Sequence, residues 1–174
     1  MTRLLHGRAN SPLGEIEIAC SETALVALEF ADADDRFRRS LQRRYGAVSL
    51  IDADDPLGVA TKLAAYFAGD LAELDAIDVD GGGTEFQRRV WTALRTIPAG
   101  TTTSYGALAI ELGQPTATRA IGLANGANPI AIVVPCHRVI GANGTLTGYG
   151  GSLPRKRWLL DHERKHGRDK RDLL

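Results

Sequence analysis

Cys136, His137 and Arg138 stand side by side between two apolar runs, Ile130-Ala131-Ile132-Val133-Val134 and Val139-Ile140, with Pro135 immediately before the thiol. Cysteine is a strong nucleophile only as its thiolate, and its free pKa lies at about 8.5. A neighbouring imidazole or guanidinium favours the thiolate. The run over residues 130–134 reads as a short buried strand. Proline has no N–H to give to a ladder, so that strand should end or bulge at Pro135 and deliver the polar triplet to the rim of a pocket. Two readings of Cys136 stand at this point: a nucleophile, or a small buried packing residue of the kind free cysteine commonly is. Neighbours on a strand point to opposite faces. His137 can therefore serve Cys136 only if the backbone turns there or a water bridges the two.

The chain that must position these residues has 174 of them, enough for one full core or two small domains. Its two cysteines, Cys20 and Cys136, make no disulfide framework and point to a reducing, cytoplasmic compartment. There is no apolar run of about 18 residues to span a membrane, and the opening Met1-Thr2-Arg3-Leu4-Leu5-His6-Gly7 lacks a signal-peptide core. No Cys/His cluster has zinc spacing, so no metal is expected. Net charge is zero but unevenly placed: residues 1–83 hold 8 Lys+Arg against 15 Asp+Glu, and residues 84–174 hold 13 against 6. That asymmetry suggests two units and a polyanionic partner for the second. The alternative is that Arg155-Lys156-Arg157 and residues 168–171 merely solvate a helix and a tail.

The first half reads as α+β. Strands are expected at residues 4–8, 14–20 and 25–30, the second alternating Glu15-Ile16-Glu17-Ile18 with one wet face. Helices are expected over 34–45, with Phe37, Leu41 and Tyr45 on one face, and over 55–68, stopping at Gly69. Cys20 and His6 read as packing or surface residues. The acidic stretch 70–80 and Gly81-Gly82-Gly83 mark the best boundary, giving domains of 1–83 and 84–174. Thr84 should cap a helix over 85–96 with Phe86, Val90, Trp91 and Leu94 as its apolar face. A helix–turn–helix follows: Thr103 or Ser104 caps 105–112, Gly113 supplies a left-handed stop, and Pro115 sits near the start of a helix over 116–125. In that second helix Ala117, Thr118, Ala120, Gly122 and Ala124 are small and Arg119 is long. Such a surface suits close helix packing or close approach to a nucleic-acid groove. Asn128 before Pro129 forms a turn. The glycine-rich loop 141–151 is a hairpin wing or a pocket wall, and a last helix runs over 154–166.

Pro135-Cys136-His137-Arg138-Val139 resembles the active-site signature of the O6-alkylguanine-DNA alkyltransferases, the methylated-DNA–protein-cysteine methyltransferases. Ser104-Tyr105-Gly106, Arg119-Ala120-Ile121-Gly122, Asn125-Gly126-Ala127-Asn128-Pro129, Tyr149-Gly150-Gly151 and Trp158-Leu159-Leu160-Asp161-His162-Glu163 fall in the family's order and spacing. The likeness is strong over residues 84–165 and general over the first 83. It implies an α/β (α+β) chain: an N-terminal ribonuclease-H-like domain, then a C-terminal winged helix–turn–helix domain carrying both DNA binding and catalysis. The implied reaction is direct repair: irreversible, single-turnover transfer of the alkyl group of O6-alkylguanine, and of O4-alkylthymine, to the protein's own cysteine.

The resemblance also implies roles. Glu163 orients His137, His137 deprotonates Cys136 through a water, Tyr105 relieves charge on the leaving base, and Asn128 ties the recognition helix to the cysteine segment. Gln114, Thr116, Ala117, Thr118 and Ala120 meet DNA in the minor groove, and Arg119 replaces a flipped base in the stack. Val139, Tyr149 and Gly150 line the base pocket. No cofactor is implied. The implied partner is double-stranded DNA, the implied state a monomer with clustering on DNA open, and the implied place the cytoplasm of a bacterial-type cell. Two positions depart from some members: Ala131 stands for proline and Gly150 for serine. A non-catalytic damage binder is the first alternative, opposed by Cys136. A small-molecule cysteine hydrolase is the second, opposed by the basic second half.

Overall fold

In the computed structural model, residues 1–33 and 35–172 are described, with side chains through residue 167. Asp34, the expected first residue of the first helix, and the side chains of the basic tail at 168–171 lie outside the described residues. The chain forms two compact units, Met1–Gly83 with Pro129–Val133, and Thr84–Asn128 with Val134–Leu174. A division at the glycine run alone does not anticipate that residues 129–133 join the first unit.

In the first unit, β1 (Thr2–Ala9), β2 (Ile16–Cys20) and β3 (Leu25–Phe30) form an antiparallel meander. After α1 (Arg36–Tyr45), β4 (Val48–Asp52) pairs parallel with β1, giving a four-stranded sheet in the order β3-β2-β1-β4. Strand β4 was not expected. Its residues are only half-buried apart from the exposed Asp52, so Val48-Ser49-Leu50-Ile51 carries too little alternation to declare itself, and the pairing with β1 decides the conformation. The α1 face is Phe37 and Leu41, packed with Leu4, Ala19, Val26 and Ala27. A short 3₁₀ turn at Pro56–Gly58 shortens the second helix, α2, to Val59–Phe67, with Val59, Leu63 and Tyr66 buried. Every residue of the edge strand β3 is buried. Bridges from Leu25 to Val79 and from Leu28 to Ile130 cover its outer edge, which removes an open ladder.

The Ile130 bridge is all the sheet pairing that the apolar run makes. Ile130-Ala131-Ile132-Val133-Val134 is buried as expected, but it turns instead of extending. Val133 N–H donates to the Ala131 carbonyl at 2.7 Å, and Ile132 takes φ of 70°. An apolar run specifies burial, and here a tight turn satisfies it without a second strand partner. The Ala131 N–H donates to the Leu28 carbonyl at 2.9 Å, a bond that proline at this position forgoes.

The second unit begins with α3 (Glu85–Leu94), where Thr84 and Gln87 form a reciprocal capping box that satisfies two helix-end amides. Two-residue β5 (Thr103–Ser104) leads into α4 (Tyr105–Glu111), capped by the Ser104 hydroxyl and stopped by Gly113 at φ 73°. Helix α5 (Thr118–Gly126) starts two residues later than expected because Gln114–Ala117 closes as a turn first. The Trp91 indole donates to the Ala124 carbonyl at 2.8 Å and fixes α5 against α3. β6 (Val139–Ile140) pairs parallel with β5. No strand forms within 141–151 among the described residues, where the Gly141 N–H donates to the Thr145 carbonyl at 2.8 Å and closes a turn. α6 (Leu153–Asp172) closes the unit. Among the described residues no helix is long and apolar enough to cross a membrane.

Candidate active site

Cys136, His137 and Arg138 form one 3₁₀ turn rather than the end of a strand. Its φ/ψ values break the two-face alternation, so adjacent side chains need not diverge. The Cys136 N–H donates to the Val134 carbonyl at 2.8 Å, and the Arg138 N–H to the Pro135 carbonyl at 3.0 Å. Two asparagines of the preceding segment hold the same turn. Asn128 Nδ2 donates to the Val134 carbonyl at 2.8 Å and Asn125 Nδ2 to the Cys136 carbonyl at 3.4 Å, both from buried positions. The backbone around the thiol is therefore tied to the end of α5 from two side chains. Both asparagines stand in the motif Asn125-Gly126-Ala127-Asn128-Pro129, and the resemblance implies a role for Asn128 alone.

His137 and Glu163 are fully buried, and their side chains meet at 2.8 Å, Nε2 to Oε2. Arg138 does not turn to the thiol. Its Nε donates to Glu163 Oε1 at 2.8 Å, its Nη2 to Oε2 at 3.0 Å and its Nη1 to the Ile97 carbonyl at 2.7 Å. Burial pushes the Glu163 carboxyl up, but the charge and hydrogen bonds of His137 and Arg138 outweigh it and hold the carboxyl well below the usual range. Glu163 is thus a carboxylate at neutral pH. Opposite it, His137 Nε2 must carry the proton, which leaves the lone pair on Nδ1. Nδ1 is buried and has no hydrogen-bond partner among the described residues. An imidazole oriented through Nε2 by a buried glutamate, with Nδ1 unused, has the placement a general base needs.

Lys156 does not solvate α6, the alternative reading of Arg155-Lys156-Arg157. It is instead fully buried. Its Nζ donates to the Val139 carbonyl at 2.7 Å and to the Thr147 carbonyl at 2.8 Å. It thereby clamps the segment after Arg138 to the glycine-rich loop. Burial pushes the Lys156 pKa down, and the charge of a Cys136 thiolate opposes that shift. The attraction is reciprocal, so the ammonium favours the thiolate. The type and position of Lys156 were visible in the sequence; its burial was not.

The remaining expected residues are placed as follows. Tyr105 opens α4, and its hydroxyl lies 2.9 Å from Thr147 Oγ1. The Tyr149 ring stands edge-on to His137, centroids 6.5 Å apart. Gly150 is exposed and Val139 buried. The loop 141–151 therefore meets Tyr105, His137 and Lys156. On α5 and the turn before it, Thr116, Thr118, Arg119 and Ala120 are exposed, with Gln114 and Ala117 half-buried. They share one accessible stretch, separate from the buried Ile121, Ala124 and Asn125.

Comparison with known proteins agrees with this geometry. Residues 85–165 match the family described as 6-O-methylguanine DNA methyltransferase, DNA binding domain, and residues 4–80 match the ribonuclease-like domain of the same family. A methylated-DNA–protein-cysteine methyltransferase of Mycolicibacterium paratuberculosis is 65% identical over 160 residues, 90% of this chain and 90% of that protein. One of Salmonella typhimurium is 51% identical over 166 residues, 94% of this chain and 97% of the relative. Among solved structures, Mycobacterium tuberculosis OGT in complex with DNA superposes with a TM-score of 0.80 at 44% identity, covering 95% of this chain and 94% of that one.

Proposed function

The chain belongs to the 6-O-methylguanine DNA methyltransferase family, and we propose that Cys136 is the residue that takes the alkyl group, with His137 as its base and Glu163 as the orienter of His137. The function is DNA repair by alkyl transfer to a cysteine of the protein, and DNA is its partner. The observation that carries the assignment is His137, next to the thiol in one turn, buried against Glu163 of α6 with its Nδ1 unused.

The step balances without a co-reactant. The Cys136 proton passes to His137 Nδ1 through a water, giving thiolate and an imidazolium that Glu163 stabilises. Sγ attacks the alkyl carbon on guanine O6. The C–S bond forms as the C–O6 bond breaks, and the electron pair leaves with guanine. Tyr105 hydrogen-bonds the departing base at N3 and relieves its charge. Val139, Tyr149 and Gly150 line the pocket that receives the base. Lys156 holds that wall in place and adds a cation near the sulfur.

A guanine inside the stack presents O6 to the major groove, out of reach of a buried thiol, so the nucleotide must be flipped. Helix α5 enters the minor groove through Thr116, Ala117, Thr118 and Ala120, flanked by Gln114, and Arg119 fills the vacated stack. Asn128, joined by Asn125, transmits the position of α5 to the cysteine turn. The protein acts as a monomer in the cytoplasm, where bacterial DNA is. To test the reading, the protein is incubated with a duplex bearing O6-methylguanine labelled in the methyl group. Label should move to Cys136 and be lost in Cys136→Ser. Label on Cys20, or none on protein, would end the assignment.

A further inference from the structure

We infer that Leu123 is a further DNA-contacting residue of α5, an apolar side chain that presses on the sugar walls of the minor groove one helical turn beyond Arg119. The inference rests on the reading of α5 as the DNA-facing helix and deepens it.

Leu123 is 72% exposed, one of few large apolar side chains left in water among the described residues. The rest of the exposed face of α5 is Thr118, Arg119, Ala120 and Gly126. Apart from Arg119 this surface is low, so Leu123 projects from it. The helix cannot roll to bury it: Ile121, Ala124 and Asn125 occupy the inner face, and Trp91 holds the Ala124 carbonyl. Residues four apart are neighbours on one helix face. Leu123 therefore follows Arg119 by about 6 Å along the axis.

Leu123 keeps its apolar surface in water in the free protein, so covering it releases free energy that folding has not used. What covers it must also accept the Arg119 cation beside it and the basic excess of residues 84–174, 13 Lys+Arg against 6 Asp+Glu. Duplex DNA meets both demands. Its phosphates are anionic, and its minor-groove walls are deoxyribose C–H surface. Apolar wedges beside arginine are a recurrent device of minor-groove proteins. Such a contact adds affinity without releasing counterions, so it does not change the salt dependence of binding.

The test measures binding of wild type, Leu123→Ala, Leu123→Met and Arg119→Ala to one duplex over a series of salt concentrations. Repair rates are measured on that duplex bearing O6-methylguanine and on the free modified base. Leu123→Ala should weaken duplex binding about tenfold at every salt concentration, the scale of a partly buried leucine, with the slope unchanged. Its loss on the duplex should exceed its loss on the free base, and Leu123→Met should recover most of the affinity. If Arg119→Ala weakens duplex repair while Leu123→Ala binds as wild type, the inference is overturned and the reading of α5 stands. If both variants bind and repair the duplex as wild type, the reading of α5 fails and takes the inference with it. A DNA-free self-association that Leu123→Ala abolishes would assign this face to a second copy and also overturn the inference.

Discussion

Glu163 gathers a histidine and an arginine on one buried carboxylate, and its titration couples the site to the stability of the fold. Its carboxyl is held below the ordinary value of 4.5, against the pull of burial, by His137 and Arg138. A carboxyl with a depressed folded pKa stabilises the protein fully above the unfolded value and loses that contribution as pH falls toward the folded one. Melting temperatures measured from pH 7 to pH 3 should therefore drop below about pH 4.5, and the drop should be shallower in Glu163→Gln. The same variant, and His137→Ala, should transfer alkyl groups roughly a hundredfold more slowly, the usual scale for loss of a general base. Unchanged rates at neutral pH would remove both residues from the mechanism. Lys156 yields a separate expectation. Lys156→Met leaves the Val139 and Thr147 carbonyls without their donor, at roughly 1–3 kcal/mol for the buried Val139 group left unpaired. It also removes a cation that favours the thiolate, so the pH–rate profile should move to higher pH. A lower melting temperature with an unmoved profile would confine Lys156 to structure. The sequence makes Pro135–Val139 legible because a thiol, an imidazole and a guanidinium stand together. Glu163, 26 residues beyond His137, is joined to them only through the family resemblance. Lys156 is illegible for a physical reason: between Arg155 and Arg157 it reads as one more solvated charge, and only tertiary packing buries it.

At the scale of elements, the helices of the second unit were legible because their ends carry side-chain chemistry. Thr84 with Gln87, Ser104 and Gly113 each satisfy or release helix-end groups in the sequence itself. Elements fixed by tertiary partners were not legible. β4 depends on β1, and residues 130–134 are a turn because Leu28 bonds both flanks of Ile130. The loop 141–151 is held from two sides by Lys156 and Tyr105, contacts that its glycines do not announce. Helix α5 divides by face: Ile121, Ala124 and Asn125 belong to the packing, and Arg119 faces solvent. Arg119 should therefore act on DNA more than on the chemistry. Flipping costs a few kcal/mol of lost stacking and pairing, and a side chain filling the gap offsets part of it. Arg119→Ala should greatly slow repair in a duplex and have a much smaller effect on the free modified base, which needs no extrusion. It should also lower the salt slope of duplex binding by at most about one. Equal losses on both substrates would return Arg119 to a role in the pocket or the fold.

For the whole molecule, the charge asymmetry has a division of labour behind it. Every residue proposed to touch DNA or the alkyl group lies between residues 105 and 163, in the basic half. The first unit supplies a sheet closed at its β3 edge by residues 78–80 and 129–131. The second unit holds one thiol, Cys136; the other, Cys20, is fully buried in β2, where burial and then the charge of Asp55 push its pKa up to about 11. A thiol so raised is almost entirely protonated at neutral pH and is a poor nucleophile. It can neither accept an alkyl group in place of Cys136 nor take one from it. The product at Cys136 is a thioether, and the proposed step gives it no route back to the thiol. Each molecule should therefore react once. With labelled O6-methylguanine duplex in excess, label on protein should rise to a plateau of about one alkyl group per molecule, as for a covalent intermediate that is never resolved. All of that label should map to Cys136, and the plateau should not move when fresh duplex is added. Label continuing to leave the duplex after the plateau would mean that the thioether is cleaved, and the protein would then be a turnover enzyme rather than a stoichiometric acceptor.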